Sequence, residues 1–444
     1  MPIPPSVVDA FLRAASVPRT GSHTSGSLHD ADAIVARHPT LAEESLHAAA
    51  ALGDADAVER HLRSGRVGVR EGAPPYGWDA LTHLCFSRYL RLAPERASAF
   101  TVAAERLLTA GADPNAGWPD DSHGPTPVIE RVLYGAAGVA QHVGVTRALL
   151  AAGADPNDEE TPYHVPESYE LAALTALLES GRCTSDTLVT MLLRKADWHD
   201  HDGVQLLLAH GADPNGNSRW GWTPLAQAIR RDNAMETIDL MLDHGGDPGR
   251  GGHGHSALLL AAAQGRDDVL TSMARRGTVL PAEGAVGLVV ACAMDNAAQV
   301  EALRASGPAL LAQGAALIGA FASVGNARGL AHLVALGVAV DTPLPGDGYW
   351  QIAPGATALH VAAWRHRPAT VDTLLAYGAN VHVRDARGRS VLMEAVRGCV
   401  ASYWTERASP ALVARLLAAG ASASDVTRPT GSDAIDALLA AATT

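Results

Sequence analysis

Val204-Gln-Leu-Leu-Leu-Ala-His-Gly-Ala-Asp-Pro-Asn215 is the stretch that decides the architecture. Its apolar residues recur at helical spacing. Gly211 then supplies the left-handed backbone that ends a helix, and Asp213-Pro-Asn215 turns the chain outward and bars continuation. The same ending recurs at Gly111 to Asn115 and Gly153 to Asn157, with worn copies at Gly245 to Pro248, Gly378 to Asn380 and Gly420 to Ser422. A start signal precedes it: Thr223-Pro-Leu225 and Thr357-Ala-Leu-His360, with looser forms at Ser256-Ala-Leu258 and Ser390-Val-Leu392. A recurring helix pair of this kind cannot bury its apolar face alone, so neighbouring copies must stack.

Together these residues resemble the ankyrin repeat: a Thr-Pro-Leu-His start, an Ala-Ala pair, a Val-x-x-Leu-Leu second helix and a Gly-Ala-Asp end. The resemblance is to bacterial ankyrin-repeat proteins and runs from about Leu46 onward. It implies an all-α, ankyrin-repeat solenoid of about ten helix-turn-helix repeats with finger loops and insertions. A weaker pair, Val7 to Ala15 and Asp30 to His38, fits an N-terminal cap. The expected layout is capping helices over 1–42, the solenoid over 43–425 and a C-terminal capping helix over 426–444.

Taking the glycine that closes each second helix as a ruler gives Gly65, Gly111, Gly153, Gly211, Gly245, Gly277, Gly307, Gly337, Gly378 and Gly420. The spacings are 46, 42, 58, 34, 32, 30, 30, 41 and 42, against an ankyrin period of about 33. The excess falls in two blocks, Gly65 to Gly211 and Gly337 to Gly420. Insertions in a solenoid map to its loops and often to its binding face, so function is expected in these blocks.

Composition agrees with a thin-walled array. Of 444 residues, 47% are hydrophobic but only 5% aromatic, so burial must come from slim helices packed closely rather than from one bulky core. A net charge of -13 argues against nucleic acid or an anionic membrane as partner. Lys195 is the only lysine, a skew expected of a high-G+C genome. Cys85, Cys183, Cys292 and Cys399 are widely separated, with no metal-type pair, which fits a reducing cytoplasm. The start of the chain lacks a basic region followed by an apolar run, so no signal peptide is expected. Ala305 to Ala327 is uncharged and about long enough to span a bilayer, but it contains Gln313, four glycines and many alanines and falls in repeat register, which mark it as a buried helix.

Tryptophan and tyrosine concentrate in the insertions and fingers, where an amphipathic ring suits a partly wet surface. The resemblance implies that Trp78, Trp222 and His255 sit on fingers, while Arg230, Arg231 and Trp364 line the inner helices and face a concave groove. Tyr76, Trp118 and Tyr163 lie in the inserts. The densest polar run is Arg194-Lys-Ala-Asp-Trp-His-Asp-His-Asp202, preceded in the same repeat by the finger insert Asp158-Glu-Glu-Thr-Pro-Tyr-His-Val-Pro-Glu167. Glu160, His164, Lys195, Asp197 and His199 thus become candidates for acid/base work, or the run supplies divalent-metal ligands. The alternative is a polar inter-helix loop in which Asp197, Asp200 or Asp202 caps the second helix. His47 and His360 occupy the repeat's own histidine slot and are expected to bond finger backbone. No nucleophile elbow, P-loop or dinucleotide fingerprint is present, and no cofactor or metal is assigned.

Two functions fit. One is a recognition scaffold that holds a protein partner in the concave groove. The other is a cofactor-independent acid/base enzyme performing dehydration, conjugate addition, cyclisation or isomerisation on a small natural-product-like ligand in a pocket made by repeats two to five. In the second, Tyr76, Trp78, Trp118, Tyr163 and Trp222 form apolar walls while Arg194, Lys195, Arg230 and Arg231 hold an oxyanion.

Overall fold

Several repeats begin where a short polar side chain satisfies a backbone donor that the first helical turn cannot. Thr223, Ser256 and Ser390 accept from the N–H of Ala226, Leu259 and Met393, and open the helices Pro224–Arg230, Ala257–Gln264 and Val391–Val400. Thr357 and His360 cap each other's ends of the same first turn in Ala358–Trp364. His360 and His47 also bond the carbonyls of Arg389 and Glu71. Their imidazoles therefore hold finger backbone, as the resemblance implies.

The computed structural model describes residues 3–122, 126–404 and 407–442; the outermost residues of both expected caps lie outside these ranges. The chain divides into two compact units, Met1–Arg231 with Asp243–Gly246, and Asp232–Leu242 with Asp247–Thr444. The structure is mostly helical throughout the described residues.

In the first unit, Pro5–Ala15 and His29–Arg37 pack on each other, and Pro5–Ala15 also packs on Leu46–Leu52. Helices Ala55–Ser64, Ala97–Thr109 and Val143–Ala151 follow one another along the stack, joined by Phe100, Leu107 and Leu149, which are buried completely. The insert after Gly111 forms an antiparallel hairpin, Gly117–Asp120 with Val128–Arg131, and then a π-helical turn, Tyr134–Val139. Such turns are rare, and they frequently lie at functional sites. The second unit repeats the plan around Leu288, Phe321, Leu359 and Leu392, and ends with Asp433–Ala441. Its finger Gly251–Gly252 with His255–Ser256 is a short hairpin.

The glycine ruler holds at nine positions, all with φ between +61° and +105°, but not at Gly307, where φ is -51°. Gly307-Pro308 opens a short helix, Gly307–Leu311, because proline is favoured at the first turn. Conversely, Gly181 has φ +66° and follows helix Ala172–Glu179, so it splits the 58-residue interval into 28 and 30. The excess there is an additional helix end rather than one long finger.

The apolar stretch from Ala305 to Ala327 is likewise not one helix. It contains Gly307–Leu311 and Gly314–Val324, and the pair that includes them, taken from Arg304, bends by 93°. That bent pair meets a membrane span's length and composition together, while no single helix among the described residues does. Leu317, Ile318 and Phe321 of the longer helix are buried in the unit's core.

Candidate functional site

The helix Ser185–Asp197 starts on Thr184, whose hydroxyl accepts from Thr187 N–H. Its last turn puts Arg194 and Asp197 one turn apart on one face, paired at 2.9 Å. Arg194 reaches three ways: its Nε donates to the Tyr163 carbonyl at 3.3 Å, its Nη2 pairs with Glu167, and its guanidinium lies 4.0 Å over the Tyr163 ring. Asp197 accepts from Arg231 at 2.8 Å and from Gln227 Nε2 at 2.5 Å. Gln227 in turn accepts from Arg230 at 2.6 Å, and Arg230 stacks on the Trp222 ring at 4.1 Å.

These groups enclose a cavity of about 250 Å³ lined by Tyr163, Leu193, Arg194, Asp197, Trp220, Trp222, Gln227, Arg230 and Arg231. It lies wholly within the first unit. Arg219 extends the aromatic–guanidinium wall, 4.6 Å over Trp220 and 5.6 Å over Tyr163. Delocalised, weakly hydrated guanidinium on an indole or phenol face leaves its N–H edge directed away from the ring, which suits a planar anion.

His164 is one residue beyond Tyr163 on the short helix Thr161–His164. Its Nδ1 lies 2.9 Å from Glu167 and its Nε2 3.1 Å from Glu160. Burial pulls its pKa down, but the two carboxylates prevail and hold it at about 9. At neutral pH His164 is therefore a cation with a proton to give, not a base. Burial raises Glu167, yet His164 and Arg194 outweigh it and keep that carboxyl below its usual range.

Six residues expected from sequence thus meet at one cavity: Tyr163, Arg194, Asp197, Trp222, Arg230 and Arg231. Glu160 and His164 border it through Glu167 and Arg194. Others lie elsewhere. Lys195 points into the core with no exposed surface, pairing with Asp200 at 2.5 Å and donating to Ser168 O at 2.6 Å. It cannot meet a ligand there. Asp200 caps His201–Ala209 by accepting from Gly203 N–H, so the polar loop is a helix start, while Asp197 is an ion-pair residue. His199 is exposed at the left-handed turn just before that cap.

Trp78 and Trp118 are buried and stacked at 5.4 Å, and Tyr76, half-buried, packs 4.8 Å from Trp78. The inserts fold back over the first unit, so these rings are packing groups rather than walls of an open groove. His255 is exposed on the hairpin of the second unit. Trp364, buried in that unit, donates to Trp350 O at 2.7 Å and carries Arg397 at 3.5 Å over its ring. Neither joins the cavity of the first unit.

Sequence reasoning left Gln227, His23, Asp120 and Glu130 unassigned, and it gave Trp220, Glu167 and Tyr134 no role in a site. Burial and the neighbouring Glu160 and Asp120 charges push Glu130 up to about 8. A usable signal for Glu130 lay in the alternation of the inserted hairpin, where a carboxylate replaces an apolar residue on the inward face.

Family models for ankyrin repeats match residues 192–279, as three copies, and 355–386, as a single repeat. The chain contains ankyrin repeats. Apart from Tyr163, every residue lining the cavity belongs to the first of these matches, so the ankyrin repeat supplies most of the wall and the preceding insert closes it. The solved ankyrin repeat domain of human ASB11 is 20% identical over 55% of this chain and 90% of that one, with a TM-score of 0.29.

Proposed function

We propose that this chain is an ankyrin-repeat recognition scaffold that takes a carboxylate of a protein partner, an Asp or Glu side chain or a chain terminus, into the cavity between Tyr163 and Trp222. The observation that carries the reading is the aromatic–arginine wall. Of the groups lining the cavity or pairing with its walls, Arg194, Arg219, Arg230, Arg231 and the His164 cation face Glu160, Glu167 and Asp197. Five positive groups against three negative leave a local excess of positive charge on a chain whose net charge is -13. Guanidinium forks recognise carboxylates through paired N–H donors, and the rings supply rigid contact area. A bacterial, cytoplasmic setting is supported by the arginine-rich composition and by four cysteines that are free in the structure.

A cavity of about 250 Å³ is smaller than the roughly 300–1,000 Å³ usual for small-molecule sites, and it suits a side chain better than a polycyclic substrate. The acid/base reading draws on His164, which holds a proton beside the cavity wall. Selection of peptides from a displayed library distinguishes the two. A recognition scaffold enriches peptides with an acidic anchor, whose amide analogues bind at least tenfold more weakly, and an Arg230→Ala, Trp222→Ala variant loses them. Enrichment without acidic preference, or equal binding by the variant, overturns the reading. Turnover of a small acid that stops in His164→Gln would favour the enzyme instead.

A further inference from the structure

The inserted hairpin of the first unit turns one face inward. Along Gly117–Asp120 exposure alternates, so Trp118 and Asp120 are buried while Gly117 and Pro119 are exposed. The register pairs Trp118 with Glu130 across the two strands. Glu130 therefore shares the inner face with Asp120 as its diagonal neighbour. A hairpin folded onto a protein core ordinarily carries apolar residues on that face. Here it carries two carboxylates, only 2% and 1% exposed.

A third group comes from far away in sequence. His23, in the loop between helices Pro5–Ala15 and His29–Arg37, is buried against the Trp118 ring at 5.8 Å. Its Nδ1 lies 2.8 Å from the Tyr134 hydroxyl. One donor atom each from His23, Asp120 and Glu130 lies within 4.8 Å of the other two. Glu130 Oε2 has no hydrogen-bond partner, and Glu130 makes no ion pair, among the described residues. A buried carboxylate oxygen left so is costly, and two carboxylates sharing a low-dielectric site repel each other.

We propose that His23, Asp120 and Glu130 bind a divalent first-row metal ion, Zn²⁺ or Mn²⁺. One imidazole with two carboxylates suits these ions, whereas an all-oxygen set would suit calcium or magnesium. Donors no more than 4.8 Å apart lie within about 2.8 Å of a common centre, so bonds of about 2.0–2.2 Å need each donor to move by less than about 1 Å. With Nδ1 facing Tyr134, the metal takes Nε2, and Nδ1–H donates to the phenol oxygen. Tyr134 is thus the positioning residue that fixes the ring and its tautomer. Three protein ligands leave a further coordination position for water. The ion would join the N-terminal loop to the inserted hairpin, two segments about a hundred residues apart, and so contribute folding energy.

The test uses the full chain, stripped with chelator and titrated calorimetrically with ZnCl₂ and MnCl₂, with thermal unfolding of each sample. The expected result is one equivalent of at least one ion per chain and a rise in the melting temperature. Glu130→Gln and His23→Ala should each weaken binding by at least a hundredfold. Tyr134→Phe should weaken it by about 10–100-fold. Glu130→Gln keeps the size and shape of the buried side chain, so its metal-free form should melt within a few degrees of the wild type while its metal-dependent rise disappears; that combination separates lost ligation from lost folding. A His199→Ala, His201→Ala variant controls for imidazoles outside the site and should bind as the wild type does. No binding of either ion to the wild type, binding that survives in both ligand variants, or binding lost only with His199 and His201 would overturn the proposal.

Discussion

Replacing Asp232 with Asn should cost the second unit about 3–5 kcal/mol, the usual penalty for removing one partner of a buried ion pair. Asp232 gathers three guanidinium groups: Arg266 at 3.2 Å, Arg365 at 2.5 Å and Arg367 at 2.8 Å. Arg365 is fully buried and lies between two indoles, 3.7 Å from the Trp350 ring and 4.4 Å from that of Trp404. Burial lowers Arg365 to about 9 and Arg367 to about 10, despite the Asp232 charge that supports both. Without that carboxylate, the buried Arg365 guanidinium has no counter-ion in contact. Asn is the clean substitution because Asp232 has φ +54°, a left-handed conformation that Asn tolerates. For a unit of about 200 residues the loss corresponds to a fall in melting temperature of roughly 6–20 °C. Thermal unfolding would measure it, and hydrogen exchange should show the helix Ala358–Trp364 losing protection. Adding Arg365→Met should restore part of the loss, since it removes the stranded charge. A loss below about 1 kcal/mol, or no recovery in the double variant, would refute this account of the Asp232 cluster.

Lys195→Met should destabilise the first unit by about 3 kcal/mol, because it strands the buried Asp200 carboxylate, and chemical denaturation should show the drop without a change in slope. The pKa of His164 is raised in the folded protein to about 9 from 6.5, so its stabilising effect is complete below about pH 6.5 and fades as pH rises through 9. Urea midpoints taken between pH 6 and 10 should therefore fall, and His164→Gln should flatten that fall. Gly181→Ala should cost about 1–2 kcal/mol through left-handed strain alone, since a Cβ there meets nothing within 4 Å. Gly307→Ala should be neutral or stabilising by up to about 1 kcal/mol, because that residue is right-handed and equally open; melting temperatures of the two variants check both statements.

The repeat was legible in the sequence because its signals are local. A hydroxyl that caps the first turn, as at Thr223, and a glycine that takes positive φ at the last, as at Gly211, act within a few residues of themselves. Where two local signals conflict, the ruler failed: Gly307 looks like a terminator by spacing, but Pro308 makes it a helix start. The run from Arg194 to Asp202 drew attention correctly, yet its members separate according to the direction each takes from the helix. Arg194 and Asp197 face the cavity, and Lys195 turns into the core.

Sequence alone therefore determined the helix pairs, most of their ends and the arginine-rich, aromatic character of the inserts, since each follows from residues close together in the chain. Tertiary structure alone decided which of those residues share a site. Asp197 meets Gln227 and Arg231 some thirty residues on, and His23 meets Tyr134 across 111 residues. It also decided that Trp78 and Trp118 are buried while Trp222 remains partly accessible, although nothing in their own sequence neighbourhoods separates them. Burial depends on which distant segment the folded insert covers, and that is set by packing over the whole unit rather than by any local pattern.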